Sequence, residues 1–104
     1  MAQFDVYENP NEHTRENVPY LLDLQADLLN PLVTRVVVPL VSATAIGKPI
    51  DHLNPQFQIK RKTVYMSTAE LAGVSIRALG EKVGSLKDQR NIIIEALDFL
   101  FTGF

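Results

Sequence analysis

Tyr20-Leu21-Leu22-Asp23-Leu24-Gln25-Ala26-Asp27-Leu28-Leu29 is followed, after Asn30-Pro31-Leu32-Val33, by Thr34-Arg35-Val36-Val37-Val38-Pro39-Leu40. In the first string Tyr20, Leu22, Leu24, Ala26 and Leu28 fall on one side of an extended chain, and Asp23, Gln25 and Asp27 on the other. The pattern predicts a half-buried strand over residues 18–29, its even face on a core and its odd face wet. Asn30-Pro31 reads as a turn. Residues 33–41 are β-branched or apolar on both faces apart from Thr34 and Arg35, the composition of a central strand, and Pro39 limits where its pairing continues. Two adjacent strands of this kind point to a mainly β protein.

Working outward, Phe4 and Val6 alternate with polar neighbours in a short strand over residues 3–7, and the polar run 8–17 with Asn9-Pro10-Asn11 reads as a loop. Beyond the central strand, residues 42–55 carry Gly47, Pro49 and Pro55 and form a long, partly packed connection. Residues 56–59 and 63–66 pair as a hairpin, Phe57 and Ile59 facing Val64 and Met66 across the basic tip Lys60-Arg61-Lys62. Residues 67–72 read as a helical turn stopped by Gly73, residues 74–79 as a strand and Gly80 to Gly84 as a turn.

Residues 86–101 contain neither Gly nor Pro and follow Ser85-Leu86-Lys87-Asp88, a capping box with Asp in place of Glu. This predicts a terminal helix. Leu86, Ile93, Leu97 and Leu100 make one apolar stripe and Ile92, Ala96 and Phe99 a second, leaving a narrow polar stripe of Asn91, Glu95, Asp98 and Thr102. One core face cannot absorb both apolar stripes, so the helix is expected to pack on its own sheet and on a partner. Gly103 suits the left-handed position after a helix, which leaves Phe104 projecting from the end.

The chain has 104 residues, enough for one core and too few for a core plus a deep cofactor pocket, so residues 1–104 are read as a single domain. With no cysteine, disulfide scaffolds, thiolate zinc and thiol nucleophiles are excluded. A net charge of −2 gives no field for general nucleic-acid binding. The first 15 residues lack the basic and apolar regions of a secretory signal and no long apolar run follows, so a soluble, cytoplasmic protein without membrane contact is expected.

His13 and His52 lack a second ligand at helical spacing, and no metal or cofactor site is expected. The segment from Gly80 to Gly84 lacks the glycine pattern of a phosphate loop. Asp23 with Arg35 is the one acid and cation pair on adjacent strands that a metal-free ribonuclease mechanism would use, although a surface or half-buried ion pair is the ordinary reading. Three basic residues at a hairpin tip, with no interleaved aromatics, read as a solvated turn.

The strings Gln3-Phe4-x-Val6-Tyr7, Leu21 through Leu29 and Thr34 through Leu40, with the terminal helix and Gly103, resemble the CcdB-type toxins of toxin–antitoxin modules over most of the chain. The resemblance implies a partly open SH3-like barrel with a small extra antiparallel sheet and a C-terminal helix, assembled as a two-fold homodimer. It also implies a protein that is not an enzyme. Such toxins bind the A subunit of DNA gyrase, trap its covalent complex with cleaved DNA, and are neutralised by an antitoxin whose disordered C-terminal segment folds onto them. The gyrase contact maps onto Thr102, Gly103 and Phe104, with Asp98 one turn earlier and with Gln3, Phe4, Ala26 and Leu28. Some members carry a tryptophan at the position of Thr102, and this sequence has none. Loops 8–17 and 42–55 match the family poorly and are the segments expected to select the antitoxin. An endoribonuclease toxin on the same barrel and a non-toxic antitoxin-binding relative are the alternative readings.

Overall fold

The computed structural model describes residues 1–103; Phe104 lies outside the described residues. Among the described residues seven strands form one curled sheet: β1 (Asp5–Glu8), β2 (Tyr20–Asp23), β3 (Thr34–Ser42), β4 (Gln56–Ile59), β5 (Lys62–Met66), β6 (Ala72–Ser75) and β7 (Lys82–Ser85). Their order is β4-β5-β3-β2-β1-β7, with β6 paired to β3 off that path, and a short helix α1 (Ala43–Ile46) and a terminal helix α2 (Arg90–Thr102) complete the fold. The architecture is the mainly β, SH3-like, partly open barrel, and the small extra sheet stays continuous with the main one through β3.

Register explains the core. Val6 pairs with Leu22 and Leu22 with Val38, and all three are fully buried. One step along, Tyr20 pairs with Leu40 and Leu40 with Met66, again sealed from solvent. Phe57, Ile59 and Val64 extend this face, and Leu86, Ile93 and Ala96 close it from the helix side.

Pro39 performs the role its chemistry allows. The free edge of β3 pairs with β6 over Thr34 to Val37 and with β5 over Leu40 to Ser42. Pro39 sits at the hand-over, where its carbonyl accepts from the Ser67 N–H at 2.9 Å, and the donor it lacks falls where the partner strand changes.

Four expectations are corrected. The strand read over 18–29 ends at Asp23, because the chain then turns into a 3₁₀ turn (Asp27–Leu29). The two faces also depart from the alternation: of the polar residues on the odd side Asp23 and Gln25 are buried and only Asp27 is wet, while Ala26 and Leu28, read on the core side, are exposed because they lie past the end of the strand. The segment read as a turn from Gly80 to Gly84 overlaps β7, which pairs with β1 across a bulge between Val6 and Tyr7. Gly80 is required by close approach, since a Cβ there would lie 2.7 Å from the Glu8 carbonyl oxygen. The capping serine also acts earlier than expected, its Oγ accepting from the Lys87 N–H of a 3₁₀ turn (Lys87–Gln89) that precedes α2.

The hairpin tip is a two-residue turn, with Lys60 and Arg61 at φ of 47° and 68°. Both central residues of a type I′ turn need positive φ, which favours Asn-Gly and strains side chains such as these. Lys60→Asn/Arg61→Gly is expected to stabilise the fold by about 1 kcal/mol, read as a rise of several degrees in the thermal midpoint.

Candidate functional site

Asp23 and Arg35 lie on the odd-numbered face of the sheet. Asp23 pairs in register with Val37, which puts Arg35 diagonally opposite on the same face. The Arg35 Nε and Nη2 donate to Asp23 Oδ2 at 3.0 and 2.6 Å, and Nη1 donates to Asn30 Oδ1 at 2.5 Å. The other Asp23 oxygen accepts from the Gln25 N–H at 2.9 Å. With 0% and 1% of their surfaces exposed, the two side chains form a buried ion pair and not the surface or half-buried pair read from sequence. Both groups are sealed from solvent and the guanidinium donors are already taken by Asp23 and Asn30, the arrangement of a structural ion pair.

Beside this pair, buried Asp5 accepts from the Ala2 N–H at 3.0 Å and from the Tyr7 hydroxyl at 3.4 Å, with Lys82 Nζ at 3.2 Å from its second oxygen. Burial pushes the Tyr7 phenol up to about 12, helped by the negative charges of Asp5 and Asp23 and opposed by Arg35.

Above the ion pair the chain between β2 and β3 faces solvent. Leu28 is 89% exposed and Val33 71%, with Leu29, Leu32 and Val36 also uncovered. Ile76 is tied to this edge by its N–H to the Val33 carbonyl at 3.0 Å and is likewise exposed. Apolar side chains gathered in this way on two hydrogen-bonded segments mark a surface for another macromolecule.

The second exposed element is the last turn of α2. Gly103 adopts φ 78° and donates its N–H to the Phe99 carbonyl at 2.9 Å, the left-handed helix end expected from sequence. The Thr102 hydroxyl donates to the Asp98 carbonyl at 2.6 Å, and Asp98, Thr102 and the 72% exposed Phe101 all face solvent. On the second apolar stripe, Ile92 stays exposed and Phe99 is met by the His52 ring at 6.2 Å, while His52 Nδ1 lies 3.3 Å from Glu95.

A family model described as "CcdB protein" matches residues 3–103. The chain belongs to the CcdB family. That family comprises the gyrase-directed toxins of toxin–antitoxin modules which the sequence resembles. Of the positions the CcdB resemblance implies, the fold brings four together. The Gln3 N–H donates to Asp27 Oδ1 at 2.7 Å and its Nε2 to the Leu24 carbonyl at 3.0 Å, placing it against the segment that carries exposed Ala26 and Leu28. Phe4 joins them by its backbone, its N–H donating to the Asp23 carbonyl at 2.7 Å, but its ring is buried in the hydrophobic core. Among the described residues no hydrogen bond or ion pair joins this group to Asp98, Thr102 and Gly103. Phe104 lies outside the described residues.

Reading the sequence alone missed the surface around Leu32, Val33, Val36 and Ile76 and the burial of the ion pair. A lone arginine in a β-branched run was the available signal. Among the described residues no cluster of three metal-ligating side chains occurs, and no helix is long and apolar enough to cross a membrane. An open cleft of about 520 Å³ lies beside loop 8–17, lined by mixed charges including Glu8, Arg15, Glu16 and Lys62.

Removing one partner of a buried pair strands the other charge, so Arg35→Ala is expected to cost about 3–5 kcal/mol in urea unfolding, with Asp23→Leu/Arg35→Met regaining most of it. An unfolded tyrosine ionises near pH 10, before the folded Tyr7 does. The stability Tyr7 contributes is therefore full below that pH and is lost between about pH 10 and 12, on the order of 2 kcal/mol. Tyr7→Phe should flatten that part of the alkaline unfolding curve.

Proposed function

We propose that this chain acts as a single-domain, homodimeric, cytoplasmic toxin that binds the A subunit of DNA gyrase and traps the gyrase–DNA cleavage complex, and that an antitoxin with a disordered C-terminal segment neutralises it. Family membership over residues 3–103 carries this reading. Two features of the fold agree with it: the exposed apolar surface around Leu28, and a last helical turn whose Asp98, Phe101 and Thr102 face solvent. Gyrase contact falls to Thr102, Gly103 and Phe104, with Asp98, Gln3, Ala26 and Leu28 and with Phe4 through its backbone.

The physical mechanism is selection of one conformation. A rigid dimer that binds only the opened A subunits holds them open by its differential affinity and prevents religation. No bond is made or broken by the toxin. Thr102 provides no aromatic face for a cationic partner, so apolar contact from Leu28, Phe101 and Phe104 has the larger share of recognition. The antitoxin orders on binding, and loops 8–17 and 42–55 select which one is accepted.

Purified gyrase incubated with ATP, plasmid DNA and the toxin, then released with detergent, tests the proposal. Linear DNA is expected with the wild type and at least tenfold less with a chain ending at Phe101 that keeps its sheet signal in circular dichroism. Equal cleavage by the shortened chain would move the site off the tail, and no cleavage by the wild type would overturn the function.

A further inference from the structure

The ladder between β2 and β3 ends where the Leu24 N–H donates to the Val36 carbonyl at 2.9 Å. On the same edge of β3 the Val36 N–H and the Thr34 carbonyl still need partners. A side chain fills both places. Gln25 Oε1 accepts from the Val36 N–H at 3.0 Å, and Gln25 Nε2 donates to the Thr34 carbonyl at 3.0 Å. The carboxamide thus stands in for the next peptide group of the ladder, and one donor with two waiting carbonyls fixes which end is oxygen. Its remaining proton reaches the Leu29 carbonyl at 3.2 Å.

This substitution frees the backbone after Gln25 to leave the sheet, and it also determines where that backbone goes. Leu29 is held by Gln25, Asn30 by Arg35, and Asp27 by the Gln3 N–H. Two of these ties, at Asp27 and Leu29, fall on neighbours of Ala26 or Leu28 and the third falls one residue further on, and the Ala26 and Leu28 side chains remain exposed. A loop held from below in one shape loses little conformational freedom on binding. We propose that Gln25 is a positioning residue for target recognition: its buried carboxamide replaces a strand peptide and so presents Ala26 and Leu28, in one conformation, to the A subunit of gyrase. This rests on the function proposed above.

Gln25→Met keeps the length and removes the polar atoms. The amides of Leu29, Asn30 and Val36 are expected to lose at least tenfold in hydrogen-exchange protection, with those of Leu22 and Val38 unchanged. Dissociation from the isolated gyrase A subunit should become at least tenfold faster. Gln25→Glu supplies a readout that a purely structural role would not move. Its carboxylate cannot donate at pH 8, whereas at pH 4, below the ordinary glutamate value of about 4.3, the protonated acid donates to one carbonyl while still accepting from Val36. Protection at Leu29 and Val36 should therefore return on acidification. Asp23, Asp27 and Arg35 are the other charged groups facing the segment, and wild type measured at both pH values subtracts their effect.

Wild-type dissociation in Gln25→Met, protection lost equally across β1 to β3, or two variants that fail to fold at either pH would each overturn the proposal. A wild-type chain that does not bind the A subunit overturns the function and the partner named here. That outcome is separable, because the exchange measurement needs no partner.

Discussion

The Arg35–Asp23 ion pair, with both side chains sealed from solvent, is the constraint around which the centre of this molecule is organised. A buried guanidinium is tolerable only when its charge is matched and its donors are occupied, and the chain supplies this from three places. Asp23 comes from β2, Asn30 from the β2–β3 connection, and the Gln25 carbonyl from the point at which the strand ends. Once those partners converge, β2 ends at Asp23. The connection has to arch over the pair, and its apolar side chains then have nowhere to go but outward.

The sheet is consequently covered on both faces by different means. Its even face is an ordinary packed core running from Val6 through Leu22 and Val38 to the helix. The odd face holds Asp5, Tyr7, Asp23 and Arg35, polar groups that satisfy one another. Burial of polar groups specifies arrangement more than it adds stability, because an ill-matched neighbour leaves a charge stranded. That specificity sits beside the exposed segment bearing Ala26 and Leu28, so a fully paired polar cluster underlies one of the two candidate surfaces.

The other presented surface is built by different physics. At the end of α2 the left-handed Gly103 closes the helix on the Phe99 carbonyl, and the Thr102 hydroxyl ties back to Asp98. Local hydrogen bonds within one turn suffice there. Such an end is encoded in a few consecutive residues, whereas the Leu28 surface depends on side chains from three separated segments.

That contrast explains how legible the protein was. Alternation, β-branching, proline placement and the glycine-free terminal stretch determined by themselves the central strand, the hairpin, the terminal helix and its left-handed stop, because each depends on neighbours close in the chain. The strings around Asp23, Arg35 and the helix end carried the family resemblance and with it most of the candidate site. Three things were decided only in three dimensions: the end of β2 at Asp23, the pairing of β7 with β1, and the burial of the odd face. Alternation records which residues share a side, but it does not record what covers that side. Asp23, Gln25 and Arg35 look solvent-bound in sequence, since nothing local shows that each will find its partner across the sheet, and it is that pairing which allows them to be buried and turns Leu28 out to the solvent.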